Sequence, residues 1–443
     1  MHPDYLVREE IVDYMGRRWF TLTDGGRSHV VAALLKEGQL ERAVASLEQM
    51  QRDGAKAPDW LLDMAFYSML EGEEMEAAFD MIKYRQTDKT SAISNNIWYH
   101  LLDAASSTRH YSATVFVWDS QVKPGYMNPP TGICSNVLST AAQIGDTELA
   151  TDVFRVLGQR ATIFTADHYE DLLRTYLTAQ PPELRAALSI LTLMAGAKLT
   201  PTPATVRPLY DHLVFSGHEA AQDATAILRD LHRSARQVPI APLNAILEYY
   251  VEARDFSAAL TLYKSMHWFE DASIQRNGTH VPLANIETFN LLFRGARDAG
   301  SAALDTALFL ASELVDLGLS PNAITYDRLI LLCLNAGDLE HAWEYLEEMR
   351  ALGWSVRPRT ARGLVSQLAS KQDERCWDLI EGMRDRNPRE RAMVKKIALD
   401  AWSSRPPGSP RDLDRGESHI QASSRAAKGV DDRLLLRSSL SMY

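Results

Sequence analysis

The stretch Ala284–Pro358 decides the fold. It reads ANIETFNLLFRGARDAG, then SAALDT, then ALFLASELVDLGLSPNAITYDRLILLCLNAGDLEHAWEYLEEMRALGWSVRP. One pattern stands here twice. Thr288-Phe289-Asn290 recurs 37 positions later as Thr325-Tyr326-Asp327, and Ala299-Gly300 recurs as Ala336-Gly337. Ala307 and Gly318 recur 35 positions later as Ala342 and Gly353, so the first copy carries a two-residue insert between its Gly and its Ala. Each copy holds two helical patterns. The second, Leu339–Leu352, sets Leu339, Ala342, Trp343, Leu346 and Met349 at helical spacing and stops at Gly353. A helix pair this small cannot bury its apolar face alone, so it must stack on neighbouring copies.

These residues resemble the pentatricopeptide repeat family. The resemblance rests on the Thr-Tyr-Asn/Asp opening, the Gly closing the first helix, and the small Ala and late Met of the second. It is completed by the junction Leu317-Gly318-Leu319-Ser320-Pro321-Asn322. The tetratricopeptide alternative lacks its Trp-x-x-Leu-Gly-x-x-Tyr signature here. The resemblance implies an all-α, right-handed superhelical solenoid of stacked helix-turn-helix repeats, with first helices lining the concave face.

The rest of the chain fits that period. Residues 1–23 read as a partial repeat or cap helix, in which Tyr5, Ile11 and Met15 look like a second helix without its first, as though upstream sequence were missing. Residues 24–393 read as about ten copies. Turns fall at Glu37-Gly38, Glu71-Gly72, Ile144-Gly145-Asp146 and Ser216-Gly217-His218, and one turn, Ser106–Arg109, lacks glycine. Trp377 stands where a small Ala is usual, as at an end cap with no further neighbour. Residues 394–443 read as an end helix and a disordered tail, because Arg405–Pro410 and the Ser/Arg/Asp mix after it hold no apolar period.

Composition limits the function. The three cysteines, Cys134, Cys333 and Cys376, have no paired spacing and make neither a disulfide framework nor a zinc site. No apolar run approaches the ~18 residues that span a membrane. No phosphate loop, nucleophile elbow or dinucleotide fingerprint is present. His218-Glu219 begins like a metalloprotease helix, but position 222 is Gln, so it reads as a turn entering a helix. Asn277-Gly278-Thr279 matches a glycosylation acceptor and reads as a turn. A metal-dependent nuclease domain has no room or acidic cluster after residue 393. The chain is expected to be non-enzymatic, with no cofactor, metal or small-molecule substrate.

In this family one repeat faces one base of single-stranded RNA. The resemblance implies that the base is read by the residue after the Tyr of Thr-Tyr-Asn together with the last residue of the same copy. The pairs are Asn244 with Asn285, Asn290 with Asn322, Ser135 with Thr165, Glu170 with Thr202, and Asp327 with Arg357. Only the two Asn/Asn pairs match the family's usual choices, and they imply two adjacent pyrimidines. Arg207, Arg362 and Ser28 hold equivalent first positions without a clear partner. The same asparagines could instead serve only to cap helices. Basic runs at Arg229–Arg236 and Arg384–Lys396 are further candidates for phosphate contact.

The net charge of −11 speaks against a phosphate binder unless bases gather on one face. The leading expectation is single-stranded RNA binding in mitochondria, serving RNA stability, processing or translation, with the compartment taken from the family. The rival is a protein-binding scaffold, on the mitochondrial ribosome or another complex.

Overall fold

The computed structural model describes residues 5–87, 93–160, 162–269, 275–276, 279–280, 283–382 and 388–403. The Asn277-Gly278 turn, the first four residues of the Arg384–Lys396 run and the segment read as a disordered tail lie outside them. The chain divides into two compact units, residues 1–190 and 191–443.

The described residues form an all-α solenoid of helix pairs. A leading helix, α1 (Tyr5–Arg17), precedes α2/α3 (Asp24–Lys36, Leu40–Arg52), α4/α5 (Asp59–Glu71, Met75–Thr87) and α6/α7 (Asn95–Ser107, Tyr111–Val117). Then come α8/α9 (Thr131–Ile144, Thr147–Gln159) and α10/α11 (Ala166–Thr178, Leu184–Gly196). The second unit continues with α12/α13 (Arg207–Ser216, His218–Arg233), α14/α15 (Ile240–Glu252, Phe256–Ser265) and α16/α17 (Ile286–Ala299, Leu304–Asp316). It ends with α18/α19 (Ala323–Ala336, Leu339–Ala351), α20/α21 (Pro358–Ser370, Arg375–Glu381) and α22 (Pro388–Ser403). Even numbers mark first helices up to α20. Within the second unit each of α12 to α18 packs on the next first helix. The one departure from all-α is a two-residue antiparallel ribbon in the insert after α15, pairing Gln275 with His280 and Arg276 with Thr279.

The small residue of each second helix explains the close stacking. Ala43, Ala78, Ala113, Ala150, Ala259, Ala307 and Ala342 are all fully buried, and a larger side chain there would force the helices apart. In α21 the slot is taken by the fully buried Cys376, one residue earlier than the sequence pattern places it. Trp377 does not face a bare end. Its ring meets Trp402 of α22 at 5.8 Å between centroids, and α22 packs on both α20 and α21. Helix α22 also runs across residue 393, where the repeat array was expected to stop.

Turns follow from backbone chemistry. The turn without glycine still passes through the left-handed region, at Arg109 with φ 58°. Gly145 is different in kind. Its φ is 85°, and a Cβ there would stand 2.6 Å from the backbone nitrogen of Ala179 at the end of α10. Gly318, with φ 71°, has open space around it. Gly145→Ala is therefore expected to cost about 2–4 kcal/mol, from left-handed strain plus a backbone clash. Gly318→Ala is expected to cost only about 1–2 kcal/mol, from strain alone. Chemical denaturation of the two variants checks this; equal losses would mean that the Gly145–Ala179 approach is not a real constraint.

Candidate RNA interface

The site begins with helix capping. The first four N–H groups of a helix lack partners within it, and a short polar side chain at the N-cap supplies one. Asn285 and Asn322 do this for α16 and α18. Asn285 Oδ1 accepts from the Thr288 amide at 3.0 Å, and Asn322 Oδ1 accepts from the Thr325 amide at 2.9 Å. Each threonine hydroxyl accepts in return from the cap's own N–H, at 3.2 Å in both copies. The result is a reciprocal capping box.

The residue five places after the N-cap reaches forward into the next copy's box. Asn244, 5% exposed, donates from Nδ2 to Asn285 Oδ1 at 3.2 Å, and its Oδ1 accepts from the Thr288 hydroxyl at 2.8 Å. Asp327 Oδ1 accepts from the Thr360 hydroxyl at 2.6 Å. Ser135 meets His168 Nε2 at 3.1 Å, while His168 Nδ1 accepts from the Thr165 amide at 3.0 Å. Because Nδ1 is the acceptor, the neutral ring carries its proton on Nε2 and donates to Ser135. Ser135 in turn donates to the Thr131 carbonyl at 3.0 Å.

The structure thus joins two expected pairs by way of the third helical position. Asn244 meets Asn285 through Thr288, and Ser135 meets Thr165 through His168. Asp327 reaches Thr360, but Arg357 caps α20 with its backbone alone. The fourth pair differs. Thr325 spends its single hydroxyl proton on Asn322 Oδ1 at 3.0 Å. Asn290, 6% exposed, keeps a buried Oδ1 with no hydrogen-bond partner. Glu170 turns to Arg174 on its own helix at 3.2 Å, and Thr202 bonds Thr205.

The same register reveals two residues that the sequence reading missed. Asp63, five after the cap Pro58, pairs with the buried Arg85 at 2.7 Å. Tyr99, five after Ser94, donates to the Asn128 carbonyl at 3.1 Å. Neither copy opens on Thr-Tyr-Asn, so only counting from the N-cap finds them. His168, Thr288, Thr325 and Thr360 were visible as recurring residues, but their role as connectors was not.

Beside Asn244 lies a cavity of about 350 Å³, walled by Ala204, Tyr210, Ala241, Glu248 and Glu287. Burial and the neighbouring Glu248 push the Glu287 carboxyl up, against the pull of Arg328. Arg328 lies farther along the same face. It donates to the Asn290 carbonyl oxygen. Its pKa is lowered to about 10 by burial and by Arg294, Arg297 and Arg357 around it. The basic run Arg229–Arg236 sits elsewhere, on second helix α13, with Arg229 stacked 4.6 Å over Trp268. His218 opens α13 and meets the Tyr250 ring at 5.3 Å. Among the described residues no group of metal ligands gathers and no helix is long and apolar enough to cross a membrane.

Two family models match the chain: one for pentatricopeptide repeat-containing proteins over residues 131–266, one for the pentatricopeptide repeat domain over 309–355. Those stretches carry pentatricopeptide repeats. It is 25% identical over 134 residues to a chloroplastic pentatricopeptide repeat-containing protein of Arabidopsis thaliana, a match covering 29% of this chain and 16% of that one. Among solved structures it is similar to maize PPR10, at 13% identity and TM-score 0.36, covering 89% of this chain and 63% of that one. It is also similar to yeast Rmd9p in complex with a 16-nucleotide target RNA, at 11% identity and TM-score 0.43, covering 85% and 83%.

The connectors are testable without any ligand. Thr288→Val keeps the shape and removes the hydroxyl that Asn244 and Asn285 share. A loss of about 1–3 kcal/mol is expected, because a buried acceptor is left unpaired. Unchanged denaturation midpoints would show that the hydroxyl contributes nothing to stacking.

Proposed function

We propose that this pentatricopeptide repeat chain binds single-stranded RNA without catalysing a reaction on it. Asn290 and Asn322 are its best-formed base-reading pair. The observation that carries this reading is the buried, unpartnered Oδ1 of Asn290. Burying an acceptor without a donor costs about 1–3 kcal/mol, and a ligand N–H would recover it. Across the junction, Asn322 commits its Oδ1 to the helix cap, and its Nδ2 makes no hydrogen bond to the described residues. The pair therefore holds one buried acceptor without a partner, Asn290 Oδ1, and one uncommitted donor, Asn322 Nδ2. A uracil edge, with N3–H beside carbonyl oxygens, complements them, and so does cytosine through its amino group and O2. The likeness to a chloroplastic pentatricopeptide repeat-containing protein supports action in an organelle, and the proposal includes the stability, processing or translation of a transcript. A mitochondrial site and contact with the mitochondrial ribosome belong to the same proposal.

A second reading rests on a separate observation. The first-helix face of α10 carries Asp167, Glu170 and Asp171 against Arg174 alone. Such a face suits a basic protein segment better than phosphates.

Two substitutions separate reading from capping. Asn322→Ser retains a good N-cap and removes the amide. Asn290→Ala removes the unpartnered acceptor. Each is expected to keep the denaturation midpoint and to weaken pyrimidine-oligomer binding roughly fivefold, the net value of about one hydrogen bond. Purine-oligomer binding should move less. Unaltered affinity for all oligomers in both variants, or no RNA binding by the parent chain, would favour the scaffold reading.

A further inference from the structure

Charge on the first-helix faces is not spread evenly. On α18 the positions two, six, nine and thirteen residues after the N-cap, Ile324, Arg328, Leu331 and Asn335, are at least partly exposed; elsewhere some of the same positions are buried, as at Ala241 and Ala245 of α14 and Leu291 of α16. In the first unit these positions, with the one five after the cap, hold Asp63, Glu71, Asp103, Asp167, Glu170 and Asp171. Only Lys36 and Arg174 oppose them on that face. On α14 and α16 the acids Glu248, Glu252, Glu287 and Asp298 outnumber the single base, Arg294, which is itself bonded to Glu252. The sign then reverses. On α18 and α20 stand Arg328, Arg357, Arg359 and Arg362, against one acid, Asp327, already buried under Thr360.

None of those four arginines forms an ion pair with a carboxylate among the described residues. Arg328 donates to a backbone carbonyl and Arg362 donates to the Pro358 carbonyl at 3.2 Å. In a chain of net charge −11, where Arg27, Arg85, Arg294 and Arg375 among others are bonded to acids, this concentration is unusual. Burial lowers the pKa of Arg328 most, and the charges of Arg294, Arg297 and Arg357 around it add a repulsion in the same direction. An anion that bridges them would relieve it. Guanidinium forks match phosphate oxygens in geometry as well as charge.

We infer that Arg328, Arg357, Arg359 and Arg362 form a phosphate-backbone anchor, and that RNA contact is confined to α16, α18 and α20. This rests on the RNA reading above and narrows it. The strand engages about three copies rather than ten. The acidic first-helix faces that precede them repel it, so phosphate contact at the anchor supplies affinity irrespective of sequence, while Asn290 and Asn322 select the base.

The test uses the full chain with two probes, a uridine decamer and a decamer of the same sugar–phosphate chain with abasic sites throughout. The exposed pair is replaced together, as Arg357→Gln with Arg359→Gln, and folding is checked by thermal denaturation. Single-strand binding loses about 0.7 in the slope of log affinity against log salt for each phosphate contact removed. The double variant is expected to lower that slope by about 1.4 and affinity roughly tenfold, for both probes alike. Asp167→Asn with Asp171→Asn, on the α10 face, is expected to leave the slope unchanged. If the uridine decamer binds and the arginine variant keeps the parent slope, the anchor is wrong while RNA binding stands. If the abasic chain binds through the arginines but bases add nothing, base reading is wrong and the anchor stands. A slope that changes with the α10 variant overturns the confined footprint. Binding of neither probe by the parent chain overturns both proposals.

Discussion

At three junctions a hydroxyl or imidazole at the third helical position, from His168, Thr288 or Thr360, reaches back to the preceding first helix. Thr288 serves its own helix by closing the Asn285 capping box and serves the preceding copy by donating to Asn244. His168 does the same between Thr165 and Ser135 with two ring nitrogens in place of one hydroxyl. Helix capping and inter-copy registration are therefore one network. A cap cannot be lost without loosening the neighbour, and a stacking slip of one residue would leave both the cap and the buried amide unpaired. This makes the polar content of the junction as demanding of register as the apolar content, where a row of fully buried alanines sets the distance between copies.

The same economy limits what the junction can offer a ligand. At the Asn244–Asn285 junction each Asn244 amide atom has a protein partner, so a base must displace an existing bond there. At the Asn290–Asn322 junction the threonine proton is spent within the box, and Asn290 Oδ1 is left without one. Two pairs identical in sequence thus differ in readiness. The difference lies in reach: the Thr288 hydroxyl stands 2.8 Å from Asn244 Oδ1, and among the described residues no donor stands at hydrogen-bond distance from Asn290 Oδ1.

Much of this was legible before the structure. The period, the small residues, the caps and both Asn/Asn pairs follow from local patterns that repeat. What was hidden involves residues that meet only through stacking. Asp63 and Tyr99 sit five residues after the caps Pro58 and Ser94, where no Thr-Tyr-Asn marks them. The Thr288–Asn244 bond joins residues 44 apart, and its existence depends on how one copy lands on the next. Cys376 takes the small slot instead of Trp377 because α21 begins later than its predecessors do, at Arg375 after the Asp373 turn. Each miss is a matter of one-residue register, the quantity a periodic pattern fixes least firmly at its edges.

Net charge misleads for a related reason. A value of −11 averages over faces that never meet the same ligand. In the second unit each first helix packs on the next, so the charge that matters runs along those faces copy by copy. There it changes sign between α16 and α18. A polyanion drawn to the arginines of α18 and α20 would be turned back beyond α16, at Glu248 and Glu252 of α14. The acids need not abolish binding to matter: they set where the strand stops. Affinity and footprint are then decided by different residues from those that read the base, and an acidic chain can hold RNA over a short stretch while leaving its remaining copies to other work.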